Sequence, residues 1–132
     1  MQNTSGRWPI LVIDDNGANV ATYQRVLGTV PNCAPVCFTS PLQALAWSKI
    51  NNPLLVVVDY RMAECDGLTF IERFRSFPHT GSTPVVMLTG VSDPDLRDEA
   101  LRLGAADVLA KPVDRHLLFA HVKRAIAARQ TT

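Results

Sequence analysis

Five residues in this sequence have side chains that could do chemistry together, and each stands at the end of a short apolar run: Asp14 and Asp15, Asp59, Thr89 and Lys111. Two more follow directly, Gly90 after the threonine and Pro112 after the lysine. Three carboxylates gathered within a few ångströms repel one another, at about 4 kcal/mol for like charges about 4 Å apart and an effective dielectric of about 20. A cation must therefore join them. Lys111 supplies one positive charge and a hard divalent ion supplies two. Magnesium suits such a place, because it takes one or two carboxylates, retained waters and a phosphoryl oxygen in near-octahedral geometry. Asp14 or Asp15 would hold the ion, with Asp59 as a shared ligand. Once neutralised, Asp59 can act as a nucleophile toward phosphorus, a reaction in which alignment and charge stabilisation are most of the catalysis. Thr89 would then hydrogen-bond one phosphoryl oxygen and Lys111 would pair with another. Gly90 leaves its amide approachable.

Bringing these groups together requires strands that end at them. Apolar, largely β-branched or aliphatic runs recur at residues 9–13, 34–38, 54–58, 84–88 and 108–110, each of strand length. The third and fourth are apolar at nearly every position, as in central parallel strands covered on both faces. Helical patterns lie between them. Ser40 with Pro41 is an N-cap and first-turn pair, after which Leu42, Leu45, Ala46 and Ile50 share a face. Asp93 with Pro94 opens a helix that lines up Leu96, Ala100 and Leu103, and Gly104 closes it. Asp114 caps a last helix with the stripe Leu118, Val122 and Ala125. Two further helices are read over residues 17–27, with Tyr23, Val26 and Leu27 inward, and 68–77, with Phe70, Ile71, Phe74 and Phe77 inward. Five strand–helix alternations joined by right-handed crossovers give a doubly wound α/β domain, a parallel sheet with helices on both faces. Ligands of such sheets sit beyond the carboxyl ends of the strands, where the seven residues above stand.

The bulk properties remove other classes. A chain of 132 residues suits one domain, expected over residues 9–128 with tails at 1–8 and 129–132. A net charge of +1 and a charged fraction of 19% argue for neither nucleic acid nor an anionic membrane as a direct partner. The apolar run at residues 54–58 is far short of the roughly 20 residues that span a bilayer. Asp14 and Asp15 interrupt any signal-peptide core, so the expected location is the cytoplasm. Cys33, Cys37 and Cys65 form no CxxC pair and have no histidine at ligand spacing, which points to reduced thiols and not to zinc.

Taken together and in order, Ile13-Asp14-Asp15-Asn16, Val58-Asp59-Tyr60-Arg61-Met62 running to Asp66-Gly67, Leu88-Thr89-Gly90, and Gly104-Ala105-Ala106-Asp107 with Lys111-Pro112 resemble a response-regulator receiver domain of the CheY-like superfamily, over residues 10–127. Singly each match is weak, since an acid pair also caps helices and Lys-Pro is a common loop dipeptide. The resemblance implies a flavodoxin-like five-stranded sheet in the order 2-1-3-4-5. It implies Mg2+ (or Mn2+) at Asp14, Asp15, Asp59 and the backbone carbonyl of Arg61, and phosphorylation of Asp59 by a histidine kinase or phosphotransfer protein. A cis peptide before Pro112 belongs to the same pattern, as does control of an output domain or downstream protein through the fourth helix, fifth strand and fifth helix. It admits a phosphorylation-dependent homodimer, and implies no enzymatic turnover beyond the domain's own phosphoryl transfer and slow dephosphorylation. The segment from Thr89 to Leu118 further resembles receivers joined to cyclic-di-GMP phosphodiesterase domains of the HD-GYP kind.

Four features depart from the family pattern. Ala63 stands where proline is frequent, which leaves the loop less rigid. Val108 occupies the position of an aromatic rotamer switch, so the output would have to be carried by Thr89 and the segment 90–103 instead. Arg61 and Val91, each two residues past a site residue, are expected to slow water access to an acyl phosphate; alanine at both positions would then shorten its lifetime. Three rival readings fit less well. A phosphohydrolase of the haloacid-dehalogenase type needs a carboxyl group as general acid two residues past the nucleophile, where this chain has Arg61. A pseudoreceiver would lack acceptor-site residues that are present here. A dinucleotide-binding domain would carry GxGxxG after the first strand, where this chain has Asp14-Asp15-Asn16-Gly17.

Overall fold

The computed structural model describes residues 6–130. Five strands, β1 (Trp8–Ile13), β2 (Cys33–Phe38), β3 (Leu55–Asp59), β4 (Val85–Thr89) and β5 (Asp107–Ala110), alternate with α1 (Gly17–Leu27), α2 (Pro41–Ser48), α3 (Gly67–Arg75), α4 (Pro94–Arg102) and α5 (Arg115–Gln130). All strand pairings are parallel, in the order β2-β1-β3-β4-β5. This is the doubly wound α/β fold read from the sequence.

Alternation along the strands divides the core in two. One face carries Ile10, Val12, Leu55, Val57, Val86 and Leu88 against Tyr23 and Leu27 of α1 and Leu118, Val122 and Ala125 of α5. The other carries Leu11, Ile13, Val56, Val58, Val85 and Met87 against α2, α3 and α4, with Phe70, Ile71 and Phe74 fully buried. Each such side chain contributes roughly 1.5–3 kcal/mol by leaving water. Every residue of β3 and β4 is buried, as their unbroken apolar runs require. Pro35 lies in β2, the edge strand, where a missing N–H is tolerated.

Caps fix the helix starts. Asn16, Ser40, Asp66 and Asp93 each accept backbone N–H bonds with their side chains at the first turn of α1 to α4, and Asp114 accepts from His116 N at 2.8 Å before α5. Two glycines are dictated by space or φ. A Cβ on Gly67 would lie 2.8 Å from the Asp59 carbonyl oxygen and from Met87 Sδ, so only glycine lets α3 start against the end of β3. Gly104, at φ +108°, reverses the chain after α4 under the Arg75 side chain.

Several boundaries differ from expectation. β3 and β4 lie one residue later, starting at Leu55 and Val85 and taking in Asp59 and Thr89, because Asp59 pairs with Leu88 and Thr89 with Ala110 in the ladder. α2 buries Pro41, Ala44, Leu45 and Ser48, whereas Leu42 and Ile50 are 45% and 86% exposed. Ser48 turns inward at no cost because its hydroxyl donates to the Ala44 carbonyl, and Ile50 lies past the end of the helix. α3 stops at Arg75, since Pro78 holds Phe77 in extended backbone and starts a 3-10 turn, Pro78–Thr80. Trp8 and Arg129, assigned to tails, belong to β1 and α5, and the Arg129 guanidinium lies over the Trp8 ring at 5.7 Å. Of the other tail positions, 1–5 and 131–132 are outside the described residues.

Candidate functional site

The carboxyl ends of β1, β3, β4 and β5 bring Asp14, Asp15, Asp59, Thr89 and Lys111 to one edge of the sheet. Asp14, Asp59 and Thr89 are buried, at 1%, 6% and 5% exposure. Lys111 Nζ forms an ion pair with Asp59 Oδ1 and lies 3.5 Å from Asp14 Oδ2, so one ammonium bridges two carboxylates. The Lys111–Pro112 peptide is cis, and Lys111 N donates to the Thr89 carbonyl at 2.9 Å, continuing the β4–β5 ladder past its last pair.

Asp14 is held on every side. Its Oδ1 accepts from Asn16 N at 2.9 Å, and its Oδ2 accepts from Asn19 Nδ2 at 3.1 Å. Asp15, on the exposed side, accepts at Oδ2 from the Ala63 amide at 2.9 Å, a contact that crosses to the loop after β3. Thr89 Oγ1 accepts from Val91 N at 3.0 Å, which ties the loop after β4 to the hydroxyl.

The electrostatics follow from this crowding. Burial pushes the Asp59 carboxyl above its ordinary range; the hydrogen bond from Lys111 pulls the other way, and the charges of Asp14 and Asp15 add to the rise. Burial alone would lower the Lys111 ammonium, but the hydrogen bond and charge of Asp59, with the charge of Asp14, hold it above its usual value. Tyr23, below the site on α1, is raised mainly by burial, with Asp14 and Asp59 adding to the rise and Lys111 opposing it.

Asp59, Tyr60, Arg61, Thr89, Gly90, Val91 and Lys111 line one recess of about 340 Å³. Arg61 and Val91 thus line the same recess as Asp59. Val108 is not in this recess. It lines a neighbouring cavity of about 480 Å³ under the loop after β4, shared with Thr89, Leu96, Arg97, Ala110 and Lys111.

Among the described residues, no three His, Cys, Asp or Glu side chains form a ready metal centre. Lys111 stands between Asp14 and Asp59, and Asp15 is turned toward Ala63. The donors nevertheless fit a hard divalent cation in kind: three carboxylates and a backbone carbonyl, all oxygen, with more negative charge than Lys111 balances.

Sequence reasoning missed two groups that hold this site, the Ala63 amide and the Asn19 side chain, and the place of Tyr23 beside Lys111. Asn19 follows Asp14 by five residues in the first turn of α1, a spacing that could have been read. Ala63 was weighed only for loop stiffness, and Tyr23 only as core.

Residues 10–123 match the profile of the response regulator receiver domain. The chain belongs to that family. Among curated relatives of this receiver, the cyclic di-GMP phosphodiesterase response regulator RpfG of Xanthomonas campestris pv. campestris (strain 8004) is 32% identical over 122 residues, 92% of this chain and 32% of RpfG. The response regulator PleD of Caulobacter vibrioides is 33% identical over 114 residues, 86% of this chain and 25% of PleD. The chain therefore spans about a third or less of the length of these relatives. Among solved structures, a putative response regulator from Chloroflexus aurantiacus J-10-fl superposes with a TM-score of 0.83 at 28% identity, covering 92% of this chain and 98% of that one. Receiver domains of two-component signalling systems generally bind Mg2+ in an acidic pocket and are generally not enzymes in their own right. Among the described residues no helix is long and apolar enough to cross a membrane.

Proposed function

We propose that Asp59 is the phosphoacceptor of this receiver and that its phosphorylation shifts the surface formed by α4, β5 and α5. The observation that carries this reading is the buried Asp59 carboxylate at the end of β3, in ion contact with Lys111 and facing Thr89 across one recess. A carboxylate oxygen of Asp59 attacks phosphorus, the bond from phosphorus to the donor's imidazole nitrogen breaks, and that nitrogen keeps the electron pair. The donor is a histidine kinase or a phosphotransfer protein. Asp14, Asp15, Asp59 and the Arg61 carbonyl would hold Mg2+ (or Mn2+), which supplies positive charge to the phosphoryl oxygens. Lys111 leaves its place between two carboxylates to pair with the phosphoryl group, and the Thr89 hydroxyl donates to another of its oxygens.

The added charge of about −1.5 to −2 is what moves the surface. Because Val91 N is bonded to Thr89 Oγ1, a hydroxyl drawn toward the phosphoryl group takes the loop after β4 with it. The cavity beside Val108 gives that loop room to move without an aromatic switch. The likeness to RpfG supports a cyclic-di-GMP phosphodiesterase as the output under control.

Intact-mass measurement after incubation with acetyl phosphate tests the acceptor, with and without magnesium, on the wild type and Asp59→Asn. One magnesium-dependent phosphoryl adduct that vanishes in the variant is the expected result. No adduct, in a mixture that labels a known receiver, would sink the reading.

A further inference from the structure

We infer that Arg97 is a latch on the output surface: its guanidinium, forked between the Val108 carbonyl and Asp107, holds α4 against β5 in the unphosphorylated receiver and lets go when the loop after β4 is drawn toward the phosphoryl group. This rests on the acceptor reading above and names the contact that the added charge must break.

α4 is the helix with the smallest buried face. It buries two residues, Leu96 and Ala100, where α1 and α5 bury three and α2 and α3 bury four. The cavity of about 480 Å³ is lined by Leu96 and Arg97 from α4 and by Val108 and Ala110 from β5, so apolar packing between the two elements is incomplete at this end. Arg97 supplies what the packing lacks. Its Nη1 donates to the Val108 carbonyl at 3.0 Å and its Nη2 lies 3.2 Å from Asp107 Oδ1, a planar fork that fixes angle as well as distance. A helix with so little buried area opens at a lower free energy than its neighbours once such a contact is lost.

The movement enters α4 at its first turn. Val91 N is bonded to Thr89 Oγ1; two residues later Asp93 caps the helix through Asp95 N at 2.9 Å, and the Asp93 carbonyl accepts from Arg97 N at 3.1 Å. Arg97 therefore moves with the loop. β5 stays, held to β4 by a ladder from Val86–Asp107 to Thr89–Ala110 that Lys111 N continues. The fork is the contact that yields, and its loss strands no charge. Asp107 keeps Val108 N at 2.8 Å and His121 of α5 at 3.0 Å, and Val108 lies on the edge strand, where water takes the place of a lost donor. With 51% of the Arg97 side chain and 26% of that of Asp107 in water, the pair is of the weak, exposed kind that a phosphoryl group can outbid. A contact made only in the unphosphorylated arrangement opposes phosphorylation, so removing it favours the adduct.

Arg97→Met keeps the aliphatic stem and removes the fork, and Arg97→Lys keeps a charge for Asp107 without the planar geometry. At limiting acetyl phosphate with magnesium, intact-mass measurement is expected to show the Asp59 adduct forming about two- to five-fold faster in Arg97→Met, the scale of an exposed ion pair, with Arg97→Lys in between. Loss of a cation by itself would slow the approach of an anionic donor, so the sign separates the latch from simple electrostatics. The carbonyl carbon shift of Val108 reads the latch directly. In the wild type it is expected to move on phosphorylation toward the value that Arg97→Met shows without phosphate. A carbonyl shift that phosphorylation leaves unchanged in a wild type that labels, or labelling of Arg97→Met no faster than the wild type, overturns the latch and leaves the acceptor reading standing. A wild type that forms no adduct overturns both. If Arg97→Met fails to fold, the carbonyl shift of the wild type before and after phosphorylation decides alone.

Discussion

Two aspartates at opposite ends of the sheet, Asp59 buried and Asp107 half-buried, are both pushed up by burial and end on opposite sides of the ordinary range. Asp59, at the carboxyl end of β3, is raised by burial and by the charges of Asp14 and Asp15, and the hydrogen bond from Lys111 does not undo this. Asp107, at the amino end of β5, is also pushed up by burial. There the hydrogen bonds from His121, from Val108 N and from Arg97, with the charge of His121, outweigh it and hold the carboxyl below its ordinary range. Donors surround Asp107: Arg97 from α4 at 3.2 Å and His121 from α5 at 3.0 Å. Other cations near that end of the sheet sit on backbone carbonyls. Arg75 donates to Thr80 and Gly104 at 2.7 and 2.8 Å, and Arg129 to Pro53 at 2.9 Å. One end of the molecule has its charges matched and the other keeps an excess of acid. The matched end serves stability, and the unmatched end is where a cation and a phosphoryl group have work to do.

The largest test of this contrast is Arg75→Ala. Its two carbonyl partners join α3, the 3-10 turn and the end of α4, and truncation removes the guanidinium from both, leaving Thr80 with the Thr83 amide at 3.2 Å. The expected loss is about 2 kcal/mol in urea unfolding, from the hydrogen bonds and the packed stem, with formation of the Asp59 adduct unchanged. A loss of adduct at equal folded fraction would show that the two ends are not separable.

At the opposite end the sign reverses. Asp59→Asn removes a buried charge crowded by two others, and Lys111 keeps Asp14 as its partner at 3.5 Å. The metal-free variant is expected to be more stable than the wild type by on the order of 1 kcal/mol, an increment that magnesium should shrink by stabilising the wild type alone. A destabilised variant would mean that the Lys111 ion pair outweighs the repulsion and that the site is balanced after all.

How much of this was legible from the sequence depends on whether side chains or backbone carry the information. Asp14, Asp59, Thr89 and Lys111 could be placed because each closes an apolar run and parallel strands share a carboxyl edge. The Ala63 bond could not, since an amide leaves no mark on residue type and its acceptor lies 48 positions away. The α2 stripe was misread for a related reason: Ser48 satisfies its hydroxyl on its own helix and so behaves as a small buried residue. The α4–β5–α5 tie was hidden in the same way. Arg97, though exposed, donates to the Val108 carbonyl at 3.0 Å and pairs with Asp107.

That tie gives the smallest expected effect and the finest test of the contrast. A carboxyl whose folded pKa lies below its unfolded value binds fewer protons when folded, so it stabilises the protein above the ordinary carboxylate pKa and loses that contribution as pH falls through the folded value. Asp107 should therefore steepen the acid limb of the stability curve below the ordinary carboxylate range, and Asp107→Asn should flatten it there while lowering stability at neutral pH by a few tenths to about 1 kcal/mol, as suits a partly exposed ion pair. The measurement is urea unfolding from neutral pH down to the acid transition, in metal-free buffer and with Asp59→Asn as a common background. Asp59 works against the trend, since a raised carboxyl destabilises the protein once it ionises, and removing it isolates the limb that Asp107 controls. Identical acid limbs with and without Asp107 would mean that Arg97 and His121 hold β5 by geometry alone, and that the matched end of the sheet owes nothing to charge.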